Sequence, residues 1–511
     1  MNGAQALVET LLASGVDHCF ANPGTSEMHF VAALDGAAAM KSVLVLQENV
    51  ATGAADGFWR ISGRPAATLL HLGPGLANGL SNLHNAKKAH SGVVNVVGEH
   101  ALPHIALDAP LTADIEGIAR PVSAWVRTSA SAAAIGRDAA EAVAAARNGE
   151  VATLILPGDT AWGPGGETAA PIAPEAPAAP DGEAVDAAAK MLRQEAALLI
   201  LGPGATSAAA LENAGRIAAA TGCAVLTEWS NATLARGAGR VSVGRVPYPV
   251  NQAVEALKPY RRIVLAGAKP PVAFFAYPDK PGVLTQPGAA FVTLSAPGPA
   301  SALGLAALAE ALNAPKAPVG LAEAGRPDVP DGPATPDSVA RAIGAVIPEG
   351  SIVVDESVST GRAFFGATAG APHHDWLNNR GGSIGYGLPL AVGAAMAGGG
   401  RPVIAMIGDG SAMYTPQALW TLARENLPVT AVIWSNRSYA ILRGELANVG
   451  VSNVGPRALS MLTLDDPAID WVSLSRSMGV EAEQVDTAKG LEAALRAGIA
   501  SRRPYLVECM I

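Results

Sequence analysis

A lone acid, Asp409, stands between two glycines in Gly408-Asp409-Gly410-Ser411-Ala412-Met413, directly after the apolar run Pro402 to Ile407. A second apolar run, Pro428 to Trp434, leads into Ser435-Asn436-Arg437-Ser438-Tyr439. Both runs read as buried strands. Two parallel strands joined by a helix bring Asp409 and Asn436 to the carboxyl edge of one sheet, where open α/β sheets bind ligands. A carboxylate and an amide oxygen form a hard-oxygen set suited to Mg²⁺ shared with a phosphate group. Gly408 and Gly410 let the backbone come close to that phosphate. A helix over about Thr415 to Glu425 would aim its N-terminus at the same point. Taken alone, Asp409 serves equally well as a helix N-cap.

A second acid lies far upstream. Glu48 follows Leu44-Val45-Leu46-Gln47 and precedes an Ala/Gly-rich helical stretch, Asn49 to Gly57. Burial of a carboxyl group favours its protonated form, so Glu48 is a candidate to trade a proton near neutral pH. The plainer reading is a first-turn acid favoured by the helix dipole. His71 ends the apolar run Ala67-Thr68-Leu69-Leu70 and precedes Gly73-Pro74-Gly75. A histidine at a strand's carboxyl end could pass protons to a bound intermediate; otherwise it is a satisfied, half-buried histidine.

These residues need elements to carry them. Strands are expected at 16–20, 42–46, 67–71 and 93–97, then at 197–201, 224–227, 262–266 and 290–294, then at 351–355, 403–407, 429–434 and 505–509. Helical stretches alternate with them, which argues for parallel sheets covered on both faces. Two Pro/Gly/Ala-rich segments, Ala161 to Gly182 and Ala314 to Pro336, read as joints. The expected architecture is therefore α/β, with three doubly wound parallel-sheet domains at 1–165, 183–315 and 337–511. Only 15% of the 511 residues are charged, and the net charge of −9 disfavours a nucleic-acid partner. Three cysteines, Cys19, Cys223 and Cys509, fit no zinc spacing or disulfide framework. Neither a signal peptide nor a membrane-length apolar run is evident, so the cytoplasm is the expected location.

The strand-GDG-helix-strand-Asn unit resembles the diphosphate-binding motif of thiamine diphosphate enzymes. Glu48 before Ala54-Ala55-Asp56-Gly57 resembles the acid of that family that bonds the aminopyrimidine ring and promotes formation of the reactive ylide. Asn22-Pro23-Gly24-Thr25-Ser26-Glu27, Asp355 to Thr360 and Gly381 to Pro389 match further family segments. The chain is similar throughout to the acetolactate synthase, benzoylformate decarboxylase and pyruvate oxidase group, with pyrimidine-binding, central and diphosphate-binding domains in that order.

The resemblance implies several roles. Asp409, Asn436 and the Ser438 carbonyl would bind Mg²⁺. Gly408, Gly410, Ser411, Ser359, Tyr439 and Ile441 would surround the cofactor. Gly382 would offer its carbonyl to the 4′-amino group, and Ile384 would bend the cofactor. Thr25 and His71, with Glu48, would face the chemistry. The bland readings are that Gly382 only turns the chain and Ile384 only fills the core. The family would decarboxylate a 2-oxo acid through a cofactor-bound enamine, then release an aldehyde or ligate to a second carbonyl.

An acetolactate synthase-like transferase is the close alternative. A flavin-dependent oxidase and a non-catalytic thiamine diphosphate-binding relative are further ones. FAD binding is possible within the family but not favoured here. Family assemblies imply a homodimer or homotetramer whose sites are shared between subunits. The second histidine of benzoylformate decarboxylases would fall near Phe274-Phe275-Ala276-Tyr277, where this chain has none. Gly382-Ser383-Ile384-Gly385 is expected to follow no clear strand, His373-His374 to lie on a surface loop, and the methionines to fill the core.

Overall fold

The computed structural model describes residues 1–511. Three parallel-sheet α/β domains follow one another along the chain. The first sheet holds β1 (His18–Ala21), β2 (Lys41–Leu44), β3 (Ala66–Leu70), β4 (Val93–Glu99), β5 (Trp125–Thr128) and β6 (Val151–Pro157). Their order is β2-β1-β3-β4-β6-β5, and every pair is parallel. The middle sheet uses β7 (Ala197–Leu201), β8 (Ala224–Thr227), β10 (Gly244–Arg245), β11 (Arg262–Ala266) and β12 (Ala290–Ser295), after a short β9 (Leu234–Arg236) that leaves it. Its order is β10-β8-β7-β11-β12.

The third sheet holds β13 (Ser351–Glu356), β14 (His374–Asn378), β15 (Val403–Gly408), β16 (Val429–Ser435), β17 (Glu481–Val485) and β18 (Tyr505–Met510). Its order is β17-β18-β16-β15-β13-β14-β9. The last pair is antiparallel, so a strand from the middle of the chain closes an otherwise parallel sheet. Expected strands at 197–201, 224–227 and 262–266 stand at those residues, and the others differ at their ends by one or two positions.

Four sequence expectations are corrected. The helix placed at about Thr415 to Glu425 is split: a short turn spans Asp409–Ala412, and the next helix spans only Ala418–Arg424. Pro416 lacks the N–H that would carry the helix through. A strand, β14, does precede Gly382. His374 lies buried inside that strand, with Nδ1 2.7 Å from the Pro372 carbonyl. Burial lowers its pKa to about 4, so the ring stays neutral in the sheet. His373 alone is exposed, beside Glu349. Met28, Met413 and Met461 are exposed, so only part of the methionine set fills the core.

The expected joints carry little regular structure. Between Trp162 and Gly182 only the isolated bridge Asn2–Pro164 is present. Between Ala311 and Pro336 only the isolated bridges of Leu321 and Pro333 occur.

The first and third domains are pressed together along two helices, Glu48–Ser62 and Gly387–Ala397. Val50, Ala54 and Phe58 share one apolar cluster with Leu388, Leu390, Ala391 and Ala394. Glycine makes the approach possible. A Cβ on Gly57 would lie 2.1 Å from the Leu390 carbonyl oxygen, and one on Gly393 would lie 1.8 Å from that of Ala54. Gly63 closes the first helix in the left-handed conformation. A buried ion pair, Arg60–Asp56 at 2.7 Å, reinforces the seam. Arg60 also donates to the carbonyls of Ala232 and Asn378, so one guanidinium ties all three domains.

Candidate active site

The carboxyl ends of β15 and β16 lie side by side, with Gly408 opposite Trp434. Asp409 therefore emerges beside Asn436. Asp409 Oδ1 accepts its own neighbour's N–H, from Gly410, at 2.8 Å. Its Oδ2 accepts the Arg437 N–H at 2.6 Å. Asn436 Oδ1 accepts the Ser438 N–H at 3.0 Å, and the Ser438 hydroxyl donates to the Leu462 carbonyl. Asp409 is only 4% exposed. Burial pushes its pKa up, against the pull of these backbone N–H groups. No basic side chain forms an ion pair with it, and a buried carboxylate without one is stabilised by a bound cation. The donor chemistry, one carboxylate, one amide and a main-chain carbonyl, fits Mg²⁺. A Cβ on Gly408 would meet nothing nearer than 4.0 Å, which leaves room above it for a phosphate. Gly410 instead lies under the Tyr439 ring. Ser411 is buried, and Ile441 is half-buried on the helix Ala440–Asn448.

The loop from β14 to helix 387–397 forms the neighbouring wall. Gly382 is exposed, with φ +87°, and Ile384 is half-buried. Glu356, at the end of β13, grips this loop: its two carboxylate oxygens accept the N–H groups of Gly385 and Gly387, each at 2.6 Å. Burial raises the Glu356 pKa to about 7, while those N–H groups oppose the rise. The Thr415 hydroxyl donates to the Gly385 carbonyl at 2.8 Å, tying the loop to the Asp409 segment. Ser359 lies half-buried on the turn after β13.

The first domain supplies a separate group. Glu48 opens the helix Glu48–Ser62 and is 9% exposed. Its Oε2 accepts Asn78 Nδ2 at 3.1 Å. Glu48 is thus a first-turn acid and a buried one. His71 Nδ1 lies 2.9 Å from Glu27 Oε2, which also accepts the Gly24 N–H at 2.7 Å. Glu27 is wholly buried, and its Oε1 has no hydrogen-bond partner. A carboxylate on Nδ1 fixes the imidazole's orientation and leaves Nε2 for proton transfer. Ser26 adds its hydroxyl 3.4 Å from the same nitrogen, while Thr25 is exposed at the start of the turn.

The structure thus gathers the candidate residues into two groups, Glu48, His71 and Thr25 in one, Asp409, Asn436 and Ser438 in the other. No hydrogen bond or ion pair joins the two. Phe274 lies against the Gly382 loop, since a Cβ on Gly382 would lie 2.7 Å from its ring. A cavity of about 560 Å³ adjoins at Arg380 and Gly381, between Lys88, Lys269, Trp229 and Tyr248, and includes none of the candidate catalytic residues.

Sequence reasoning missed Glu27, Glu356 and the asparagines around Glu48. Paired acids at the end of an apolar run, Asp355-Glu356, were a usable signal for Glu356. Glu27 carried one too, three residues after Gly24 at the head of a turn.

The "Thiamine pyrophosphate enzyme, N-terminal TPP binding domain" family matches residues 1–117, and the "Thiamine pyrophosphate enzyme, C-terminal TPP binding domain" family matches residues 362–509. A Mycobacterium tuberculosis protein, provisionally named as the acetolactate synthase large subunit IlvX, is 50% identical over 100% of this chain and 99% of its own length. Benzoylformate decarboxylase of Pseudomonas aeruginosa is 32% identical over 98% of this chain and 97% of its own. The fold matches the thiamine diphosphate-dependent 4-hydroxybenzoylformate decarboxylase of Rhodococcus jostii RHA1 with a TM-score of 0.83, at 24% identity, over 99% of this chain and 98% of that one. Two thiamine-binding domains in family order and full-length relatives of this similarity place the chain in the thiamine diphosphate (thiamine pyrophosphate)-dependent enzyme family.

Proposed function

We propose that this chain is a thiamine diphosphate- and Mg²⁺-dependent enzyme that decarboxylates a 2-oxo acid and releases an aldehyde or ligates the product to a second carbonyl. The observation that carries this reading is the buried Asp409, unpaired with any basic side chain, beside Asn436 at the carboxyl edge of two parallel strands. When bound, thiamine diphosphate supplies a nucleophilic carbon and a cationic ring able to accept the electron pair left by departing CO₂. Asp409, Asn436 and the Ser438 carbonyl would hold Mg²⁺ against its diphosphate. Gly408 and Gly410 would let the backbone approach, with Ser411, Ser359, Tyr439 and Ile441 around it. Gly382 and Ile384 would set its orientation. Glu48 would hold a proton at the aminopyrimidine ring. His71, oriented by Glu27, would give or take the proton on the substrate side, with Thr25 nearby.

An acetolactate synthase-like transferase is the second reading, favoured by the relative that is 50% identical end to end. The chemistry up to CO₂ release is common to both. Its domains are proposed at 1–165, 183–315 and 337–511, in a homodimer or homotetramer with each site shared between two subunits. A cytoplasmic location belongs to the same proposal; no helix is long and apolar enough to cross a membrane.

The test is CO₂ release from a panel of 2-oxo acids, with and without thiamine diphosphate and Mg²⁺, followed by product analysis. Cofactor-dependent release from at least one acid is expected, and aldehyde or ligated product separates the two readings. A flavin band in the visible spectrum would point instead to an oxidase. Asp409→Ala should also cut thiamine diphosphate affinity by about 10²-fold or more, because the diphosphate loses its charged bridge. Calorimetry giving wild-type affinity for that variant would refute the metal site.

A further inference from the structure

The helix Leu72–Ala89 carries Asn78, Asn82 and Asn85 at spacings of four and three, so all three lie on one face. Asn82 and Asn85 are fully buried. Buried amides in mid-helix are costly unless every polar atom finds a partner. Here they do, and the partners run in a line. Asn78 Nδ2 donates to Glu48 Oε2 at 3.1 Å. Next along the face, Asn49 Oδ1 accepts from the Ser81 hydroxyl at 2.8 Å and from the Asn82 N–H at 3.0 Å. Asn82 Nδ2 donates to the Asn49 carbonyl at 2.9 Å and lies 3.4 Å from the Gly385 carbonyl. Asn82 Oδ1 accepts from Asn85 Nδ2 at 3.0 Å. Asn85 then reaches the third domain with both ends of its amide. Its Nδ2 donates to the Ser383 carbonyl at 2.9 Å, and its Oδ1 accepts the Ser383 N–H at 3.2 Å. His84 Nε2 lies 3.1 Å from the Gly381 carbonyl, one residue before Gly382.

A paired donor and acceptor on one backbone residue fixes translation and orientation together, as a strand partner does. Asn379 also bonds this loop, through the Gly382 N–H and the Ser383 carbonyl, but it belongs to the third domain and gives no register between domains. Glu356 holds Gly385 and Gly387 from below, again within the third domain. Asn85 is the two-point amide contact from the first domain. The same rigid helix face touches Glu48 at one end and the Gly382 loop at the other.

We propose that Asn85 is a positioning residue. Through Ser383 it holds the Gly381–Gly385 loop at a fixed setting against helix 72–89, and Asn82 and Asn78 carry that setting to the Glu48 carboxylate. The helix is a gauge between the first and third domains of one chain. The loop's consequence for the cofactor rests on the thiamine diphosphate reading; the gauge itself does not.

The experiment uses Asn85→Leu, which keeps the volume and removes both bonds, in the full-length protein. Hydrogen exchange of the cofactor-free protein, read at single residues, is the first measurement. The Ser383 amide should exchange about tenfold faster or more, having lost its only acceptor. The Gly385 and Gly387 amides should stay protected by Glu356. Thiamine diphosphate affinity by calorimetry is the second measurement, and it should fall about tenfold in Asn85→Leu.

Asn95→Leu is the control: Asn95 is fully buried in β4 of the same domain and bonds only Thr68 and Thr153. It should lower thermal stability and leave Ser383 exchange unchanged. Unchanged Ser383 exchange in folded Asn85→Leu overturns the proposal, and so does equal loosening of Ser383 by Asn95→Leu. If Asn85→Leu does not fold, Asn85→Ala carries the same two readings. If the wild-type protein binds no thiamine diphosphate, the functional reading falls while the exchange result still decides the gauge.

Discussion

Glu48 and Asp409 are both buried acids, yet their surroundings differ. Asp409 has its oxygens turned toward backbone N–H groups and lacks an ion-pair partner, which suits a fixed anion under a metal. Glu48 accepts from one amide donor, Asn78, and has no basic partner; in the proposed function it exchanges a proton with the cofactor ring. Glu48→Gln preserves shape and removes that exchange. Turnover at saturating cofactor should fall by about 10²-fold or more, in the range of a lost acid–base group. A variant with wild-type turnover would remove Glu48 from the chemistry. The His71–Glu27 pair makes a second prediction at this scale. Glu27→Gln leaves His71 in place but loses the carboxylate that sets its ring orientation. The rate should drop by roughly tenfold or more, part of the about 10²–10⁴ supplied by a placed acid–base group. Steady-state kinetics of Glu27→Gln beside His71→Ala decides it: if Glu27 acts through His71, adding Glu27→Gln to His71→Ala costs little more. Glu48 and Asp409 were visible in the sequence because each follows an apolar run and precedes small residues. For Glu27 only the turn position was visible; its burial was not, since that comes from β4, where its carboxylate fits against Gly98, far away in the chain.

At the scale of elements, most of the sheet strands were legible because a parallel strand buried on both faces is a continuous apolar run. Of the strands not expected from the sequence, three break that rule or lie at its edge. β14 begins with His374-Asp375, and its histidine is tolerated only because burial keeps it neutral. β17, Glu481-Ala482-Glu483-Gln484-Val485, is a polar edge strand. β9 is three residues long and pairs outside its own sheet. β6 is a plain apolar run, Val151 to Pro157, and was simply passed over. The asparagine face of helix 72–89 looks solvated in sequence, because nothing local reveals that another domain covers it. Glu356 gives this scale a pH prediction. Its pKa is about 7 in the folded protein, above the ordinary 4.5. Between those values the folded state binds more protons than the unfolded one, so stability falls as pH rises through that window. The contribution is fully present below about pH 4.5 and lost above about pH 7. Glu356→Gln removes the titration. Denaturant unfolding of the cofactor-free protein from pH 4.5 to 7.5 should therefore show a shallower fall in the variant than in the wild type; parallel curves would refute the link between Glu356 and the pH slope.

At the scale of the molecule, one chain carries both candidate groups, with no hydrogen bond or ion pair between them. Helices 48–62 and 387–397 bind the first domain firmly to the third, while Glu48 and Asp409 share no bond. In the proposed assembly Glu48 of one subunit faces Asp409 of its partner, so a site is complete only in a closed dimer or a multiple of it. Mixing two defective chains tests this directly. Glu48→Gln supplies a sound metal half, and Asp409→Ala supplies a sound proton half. A mixed dimer puts both defects in one site and leaves the other site whole. Random exchange makes half of the dimers mixed, and half of their sites are intact, so about one quarter of wild-type activity should return. Sites contained within single chains would give no recovery, because every chain would carry one defect. Exchange must be followed independently, by mass spectrometry of isotopically labelled subunits. Complete exchange without recovered activity would place each site inside one subunit, and thiamine diphosphate binding would then leave association unchanged instead of strengthening it.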